Sequence, residues 1–276
     1  MELSLPVALA VLGAALLHAG WNVMLKSSAD KQLDTVAISV GAGLVGLAIA
    51  VWLPWPARES WPWLAGSALV HILYFLFLAG AYRWGDLSYA YPIMRGGGPV
   101  CVALAGSFVF GEVLPFWPTL GIALVCAGII AFASGKADPR ATGFALGNAL
   151  VIGAYTMIDA KGARLSGSPV AYAMWFFVAN GILIYAWHGL RRGAEVPRYL
   201  ARNWMRLIGG ATLTAGSYGV ALWAMTRAPV ALVAALRETA VLFGAFFGVF
   251  FLGEKVTRRR LAATGAVLLG LVALKI

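Results

Sequence analysis

The sequence predicts an all-α membrane protein with ten transmembrane helices, arranged as two inverted five-helix repeats around a central cavity. Of its 276 residues, 61% are hydrophobic and only 12% are charged, and the mean hydropathy is +0.83. Soluble domains carry about 25% charged residues, so this composition suits a bilayer rather than water. Two further observations support the fold: a series of separate apolar segments, and a pattern that recurs in both halves of the chain.

The apolar segments have the length needed to cross a bilayer core, which takes about 20 helical residues. We predict ten of them, at residues 5–25, 33–53, 62–82, 88–110, 117–134, 143–160, 169–189, 206–226, 229–252 and 261–275. Most connections between these segments are short, so no soluble domain is expected. The longer connection at 190–205 is rich in arginine and is predicted to lie at the membrane interface.

The recurring pattern has a constant spacing of 142 residues. A Gly-Glu pair at 111–112 returns at 253–254, and Arg95 returns as Arg237. The loop after the first pair has no basic residue, whereas the loop after the second has four. Basic loops stay on the cytoplasmic side, so the two copies are expected to lie upside down relative to each other.

The repeats divide the chain near a short polar linker at residues 136–140. We therefore expect one five-helix repeat at 1–135 and a second, inverted one at 141–276. Five is an odd number of spans, so a second copy that follows the first directly must enter the membrane from the opposite side.

The net charge of +10 is explained by loops rather than by a nucleic-acid site. A chain with ten spans would present nearly all of its basic loop residues on one side, which the positive-inside rule makes cytoplasmic. Both termini would then lie outside. The residues assigned to the cytoplasmic side are Lys26, Lys31, Arg83, Lys136, Arg140, Lys161, Arg164, Arg191, Arg192, Arg198, Arg202, Lys255 and Arg258 to Arg260.

The fourth span contains two prolines and three glycines at residues 92–99. Proline removes a backbone hydrogen bond and clashes with the preceding turn, so this stretch is expected to kink or unwind. Exposed backbone at membrane depth is tolerated only against protein or a water-filled cavity. The stretch therefore predicts a cavity wall, with a simple packing kink as the alternative.

Several stretches of the chain resemble the EamA-type branch of the drug/metabolite transporter superfamily. They are the Gly-Glu pairs that end spans four and nine, the opening Leu17-His18-Ala19-Gly20-Trp21-Asn22, the run Tyr91-Pro92-Ile93-Met94-Arg95-Gly96, and Ala235-Leu236-Arg237-Glu238-Thr239. The resemblance implies two inverted halves around a central cavity, and export or exchange of small metabolites. It does not indicate the cargo.

Ionisable residues at membrane depth are the strongest indications of a site, because burying a charge in a membrane is costly unless it is paired or hydrated. Arg95 and Arg237 lie at equivalent depths in spans four and nine, and Glu238 follows Arg237. Two guanidinium groups at a cavity wall suit a carboxylate or phosphate. The alternative is that an arginine pairs with Glu238 and locks the halves together. Glu238 is also the candidate for carrying a coupling proton.

Polar and aromatic residues share helix faces in other spans and are predicted to line the same cavity. His18, Trp21 and Asn22 lie on one face of span one because of their helical spacing. The remaining candidates are His71, Tyr74, Tyr155 and Tyr218. Asp159 and Lys161 are instead expected to form a pair at the membrane interface.

These residues predict a secondary active transporter that moves a small polar metabolite by alternating access, and not an enzyme. An amino acid or another carboxylate fits the arginines best. The alternatives are a cationic amine held by an aromatic cage, or a lipid flippase with a lateral opening.

No cofactor is expected, because Cys101 and Cys126 lack the spacing of a metal site. The expected partners are the cargo, the lipid bilayer of the cell membrane, and a proton or counter-substrate. The chain is expected to bind no nucleic acid and to be a monomer or homodimer. In a Gram-negative host the membrane would be the inner one.

Overall fold

A computed structural model describes residues 2–26, 30–252 and 257–274, and in this part of the chain the protein consists of helices and their connections, with no strand. The repeated Gly-Glu pair at 253–254 lies outside these residues. The helices are α1 (Leu5–Lys26), α2 (Lys31–Ala50), α3 (Trp61–Trp84), α4 (Leu87–Phe110), α5 (Phe116–Ala131), α6 (Pro139–Leu165), α7 (Pro169–Arg192), α8 (Glu195–Arg202), α9 (Trp204–Met225), α10 (Val230–Arg237), α11 (Ala240–Leu252) and α12 (Arg258–Ala273).

The length and hydropathy of these helices confirm an all-α membrane protein. Within the described residues, seven segments are long and apolar enough to cross a membrane: α1, α2, α3, α4, α6, α7, and α10 together with α11. Helix α5 is apolar but shorter. The predicted total of ten crossings therefore stays a prediction.

The arginine-rich connection at 190–205 contains the short helix α8. Its Tyr199 hydroxyl donates to the Asp34 carboxylate of α2 at 2.7 Å. Arg206, at the start of α9, binds the other oxygen of Asp34 at 3.0 Å. One buried carboxylate thus ties α8 and α9 to α2.

The ninth predicted span is broken in the middle, at Glu238 and Thr239, between α10 and α11. The amide of Glu238 donates to the Ala235 carbonyl at 3.1 Å, and the amide of Thr239 to the Leu236 carbonyl at 3.2 Å. These bonds to the third preceding residue tighten the helix into a turn. The break lies beside Arg237, at a position where the sequence predicts a site.

The unwinding predicted at residues 92–99 is wrong, because α4 is helical from Leu87 to Phe110. Its glycines serve close packing instead. A Cβ atom at Gly97 would lie 2.7 Å from the Ala149 side chain of α6, and one at Gly96 would lie 2.9 Å from the Cys126 carbonyl of α5. Without side chains at these positions, both neighbouring helices can approach α4 closely.

The helices of the two halves pack against one another in matching pairs. Helix α2 packs on α7, α5 packs on α12, α3 and α4 pack on α6, and α1 packs on α9, α10 and α11. In the α5–α12 pair, a Cβ atom at Gly128 would lie 2.7 Å from Val267, and one at Gly270 would lie 2.8 Å from Val125. Both contacts therefore require glycine.

Polar contacts at one end of the bundle place Arg164 away from the basic loops that were predicted to lie on the same side as it. Arg164 binds Glu112 at 2.6 Å and donates to the Met225 carbonyl at 2.9 Å. It thus joins the ends of α4, α6 and α9. Arg192 and Asp30 pair at the other end, at 3.1 Å. The assignment of Arg164 to the basic side is wrong, because α6 carries this residue across to the opposite end.

Candidate functional site

Arg95 of α4 and Glu238, at the break between α10 and α11, form a buried ion pair. Their Nη2 and Oε1 atoms are 2.7 Å apart, and the residues are only 7% and 5% exposed. The pair fixes the middle of α4 to the broken ninth span. It also means that Arg95 is already neutralised by a carboxylate of the protein.

Arg237 is equally buried, at 8% exposure, and its guanidinium lies 5.1 Å from the centre of the Tyr218 ring. The Nε atoms of Arg95 and Arg237 and the Oε2 atom of Glu238 have no hydrogen-bond partner within the described residues. Two guanidinium groups and one carboxylate leave one positive charge without an anionic partner in this cluster. Unsatisfied buried donors beside an excess positive charge are suited to an anion.

An aromatic group lies between α3 and α6. The His71 ring is 4.2 Å from the Tyr155 ring, and the Tyr74 and Tyr155 rings meet edge to face at 6.1 Å. The His71 Nδ1 atom is 2.9 Å from the Ser67 carbonyl oxygen. A carbonyl only accepts hydrogen bonds, so we assign the His71 proton to Nδ1, which leaves Nε2 as an acceptor.

The predicted polar face of α1 is present, but Trp21 and Asn22 both donate hydrogen bonds to His18 within the helix. The Trp21 indole donates to His18 Nδ1 at 3.3 Å, and the Asn22 amide donates to the His18 carbonyl at 2.7 Å. His18 is buried at 7% exposure and lies within range of the charges of Arg95 and Arg237. Among the α1 candidates, His18 has the clearest relation to the charged cluster.

The prediction that Asp159 forms an interfacial pair with Lys161 is wrong. Asp159 is fully buried, because α6 continues to Leu165 and carries this residue inside the bundle. Its carboxylate accepts hydrogen bonds from the hydroxyls of Tyr172, at 3.1 Å, and of Tyr218. The sequence did contain a signal: Asp159 follows Tyr155 by four residues, which places both on one face of a helix.

These contacts bring most of the predicted site residues into one region. Arg95 and Arg237 both act electrostatically on Tyr74 and Tyr155, and Tyr218 touches both Arg237 and Asp159. The region therefore combines fixed charges with hydroxyl and imidazole groups that can donate or accept hydrogen bonds. Within the described residues, no group of His, Cys, Asp or Glu side chains is arranged to hold a metal ion.

A separate crevice of about 280 Å³ lies between α2, α7 and α9. Its lining is almost wholly apolar and includes Val45, Met174 and Trp223. None of the predicted site residues lines it. It differs in chemistry from the charged cluster, and nothing in its lining would recognise a polar metabolite.

The fold and the buried charged cluster define a multi-pass protein of the cell membrane. Comparison with known proteins shows that the chain belongs to the EamA-like transporter family, whose model matches residues 140–275. It is therefore a membrane transporter, and this family is the one that the motifs of both halves resemble.

Two curated relatives are multidrug resistance proteins named EbrB. The one from Bacillus subtilis (strain 168) is 33% identical over 79 residues, which cover 29% of this chain and 67% of the relative. The one from Bacillus atrophaeus is 32% identical over 82 residues, or 30% of this chain and 69% of the relative. A solved crystal structure also matches 98% of both chains, with a TM-score of 0.75 and 19% identity. At that identity the match supports the fold alone.

Proposed function

We propose that the protein is a secondary active transporter for a small metabolite that carries a carboxylate, and that Arg237 recognises this carboxylate. The observation that supports the proposal is the buried positive charge of Arg237, with an unsatisfied Nε, beside an Arg95 that is already paired. A charge-assisted hydrogen bond contributes about 1.5–3 kcal/mol. This is enough for one arginine to decide between anionic and cationic cargo.

The packing of the two halves supports an inverted repeat with boundaries at 1–135 and 141–276. At a spacing of 142 residues, Gly128 corresponds to Gly270 and Val125 to Val267. The contacts Gly128–Val267 and Gly270–Val125 are therefore the same contact made twice. Reciprocal contacts of this kind arise around a two-fold axis.

Alternating access fits the burial of the cluster. Arg95, Arg237 and Glu238 are each no more than 8% exposed, so cargo reaches them only when helices move apart. The inverted halves supply two such movements, one opening to each side of the membrane. Proton coupling through Glu238 stays a prediction, and it requires the ion pair with Arg95 to separate during the cycle.

The second candidate cargo is a cationic amine, favoured by the aromatic group of His71, Tyr74 and Tyr155. Aromatic faces attract cations at distances within about 6 Å. Against this, the three rings already contact one another, and the positive charge of Arg237 would repel an amine. The carboxylate is therefore the cargo that we favour.

A thermal-shift screen of the detergent-purified protein tests this function. A ligand at a hundredfold excess over its Kd stabilises the folded state by about 2.7 kcal/mol. We expect carboxylates and amino acids to raise the melting temperature, and Arg237→Ala to abolish the shift. Arg227→Ala is the matched control, because Arg227 is exposed ten residues away. A shift produced only by amines, and kept in Arg237→Ala, would overturn the proposal.

A further inference from the structure

Asp159 is a buried carboxylate inside the helix bundle. The residue is 0% exposed, and its carboxylate oxygens accept hydrogen bonds from the hydroxyls of Tyr172 of α7 and Tyr218 of α9. The Ser67 hydroxyl of α3 also faces it. Among the described residues no arginine or lysine forms an ion pair with it. This differs from Glu238, whose charge is matched by Arg95 at 2.7 Å.

Arg237 is the charged side chain that acts electrostatically on Asp159, from α10 and past Tyr218. Other charged or titratable groups on the elements packed against α6 include His71 on α3, Arg95 on α4, Glu238 after α10, Tyr172 on α7, and the exposed Arg58 and Glu59 of the short turn before α3.

An ionised carboxylate in such a place carries a large desolvation penalty, which the two tyrosine hydroxyl donors offset only in part. A protonated carboxyl group avoids that penalty and still hydrogen-bonds to the same hydroxyls, with its own O–H as a donor. The surroundings of Asp159 therefore accommodate both the ionised and the protonated form without moving a helix.

We propose that Asp159 is a proton-binding site, and that its protonation is coupled to the binding of anionic cargo at Arg237. This inference rests on the proposed function for its cargo. Tyr218 connects the two positions, since its hydroxyl bonds to Asp159 and its ring lies beside the Arg237 guanidinium. With Asp159 ionised, the charges of Arg95, Arg237, Glu238 and Asp159 sum to zero. With Asp159 protonated, they sum to one positive charge.

The sign of the coupling follows from this sum. The protonated state attracts an anion more strongly, and a bound anion in turn favours uptake of a proton by the Asp159 carboxylate. The two effects are equal, because coupling between binding sites is reciprocal. Cargo and proton would thus bind together, with no net charge added to the cluster.

The test compares the wild type with Asp159→Asn, using pyruvate and lactate as probes because both are singly charged anions from about pH 5 to about pH 8. For the wild type we expect the Kd to be on the order of 5–150-fold lower at the acid end, the usual range for coupled sites. Asp159→Asn resembles the protonated form. It should bind with the low Kd at both ends of the range.

A further variant separates Asp159 from its neighbours. Tyr172→Phe removes one donor but keeps the carboxylate, so it should keep the pH dependence of the Kd. The proposal is overturned if Asp159→Asn retains the pH dependence of the wild type.

A second measurement does not depend on cargo. If neither probe binds the wild type, the carboxylate function fails, but Asp159 is still tested by the melting temperature of the unliganded protein. From about pH 5 to about pH 8 the wild type should lose stability relative to Asp159→Asn, because ionisation costs free energy only in the folded state. His18 and His71 titrate in both proteins and cancel in the difference. A constant difference would overturn the proton-binding role by itself.

Discussion

Glu238 provides one carboxylate for a cluster with two buried guanidinium groups. Its ion pair with Arg95 is almost fully removed from solvent. A buried pair contributes little compared with apolar residues of the same size, but loss of one partner leaves an uncompensated charge. The pair therefore fixes which parts of the bundle meet more than it adds to stability.

Removal of one partner should be far more damaging than removal of both. We expect Glu238→Ala to lower the free energy of unfolding by about 3–5 kcal/mol. The double variant Arg95→Met, Glu238→Leu should recover most of this loss, because neither member of the pair is left as an uncompensated charge. Thermal unfolding in detergent measures both. A double variant less stable than Glu238→Ala would show that the two charges do not act as a pair.

Helix α10 is held by α4 at both of its ends. Glu112, just beyond the end of α4, accepts a hydrogen bond from the Val230 amide at 2.9 Å, where its negative charge also suits the N-terminus of the helix. Arg95 of α4 binds Glu238, directly after the last residue of α10. Helix α10, which carries Arg237, is thus fixed at its C-terminal end to the ion pair of Arg95 and Glu238, and at its N-terminal end to Glu112.

Glu112→Gln should loosen the N-terminal end of α10 without disturbing the ion pair of Arg95 and Glu238. Ala228, next to this end, is fully buried and its carbonyl accepts from Arg164. We expect a cysteine at position 228 to react faster with a membrane-impermeant maleimide in the Glu112→Gln background. Both native cysteines are replaced beforehand. Equal rates in the two backgrounds would show that Glu112 does not hold the N-terminal end of α10 in place.

The opposite end has a titratable cap at Asp30, which accepts from the Gln32 and Leu33 amides at the start of α2. Burial raises the pKa of Asp30, but hydrogen bonds from the Leu33 amide and from Arg192 outweigh it, so the pKa is lowered overall. Asp30→Ala should lower the free energy of unfolding, measured by denaturation in detergent, by about 1 kcal/mol. Because the pKa of Asp30 is depressed in the folded state, this loss of stability is complete at neutral pH and becomes smaller below about pH 4. A cost that is unchanged in acid would contradict this role.

The sequence predicted helix positions well but not the irregular features within them. The spacing of apolar segments placed the helices, because bilayer thickness sets their length. It missed the break at Glu238 and Thr239, which contains neither proline nor glycine. It also predicted a kink or unwinding in α4, where the helix continues and the glycines permit close packing.

The residues of the site were only partly predictable, because local patterns reveal charges but not which helices meet. Charged residues within apolar segments identified Arg95, Arg237 and Glu238 directly. Which arginine the single carboxylate would bind depends on how α4 and α10 meet, and no local pattern contains that information. Asp159 was misplaced because the predicted sixth span ended five residues before α6 does.

The predicted orientation of the whole molecule can be tested with two exposed positions at opposite ends of the bundle. Val113 follows the Glu112 end and is 88% exposed, and Leu190 lies near the Arg192 end and is 89% exposed. The positive-inside rule places Arg192 in the cytoplasm. A cysteine at 113 should therefore be labelled by an impermeant reagent in intact cells, and one at 190 only after lysis. The reverse pattern would invert the orientation.

Counterflow in proteoliposomes would show whether the protein transports a carboxylate through Arg237. Vesicles loaded with unlabelled amino acids or organic acids are diluted into the same labelled compound, and its uptake is followed. We expect transient accumulation with the wild type and with Arg227→Ala, and none with Arg237→Ala. Accumulation of labelled amines but not of carboxylates, undiminished in Arg237→Ala, would contradict recognition of cargo by the buried arginine.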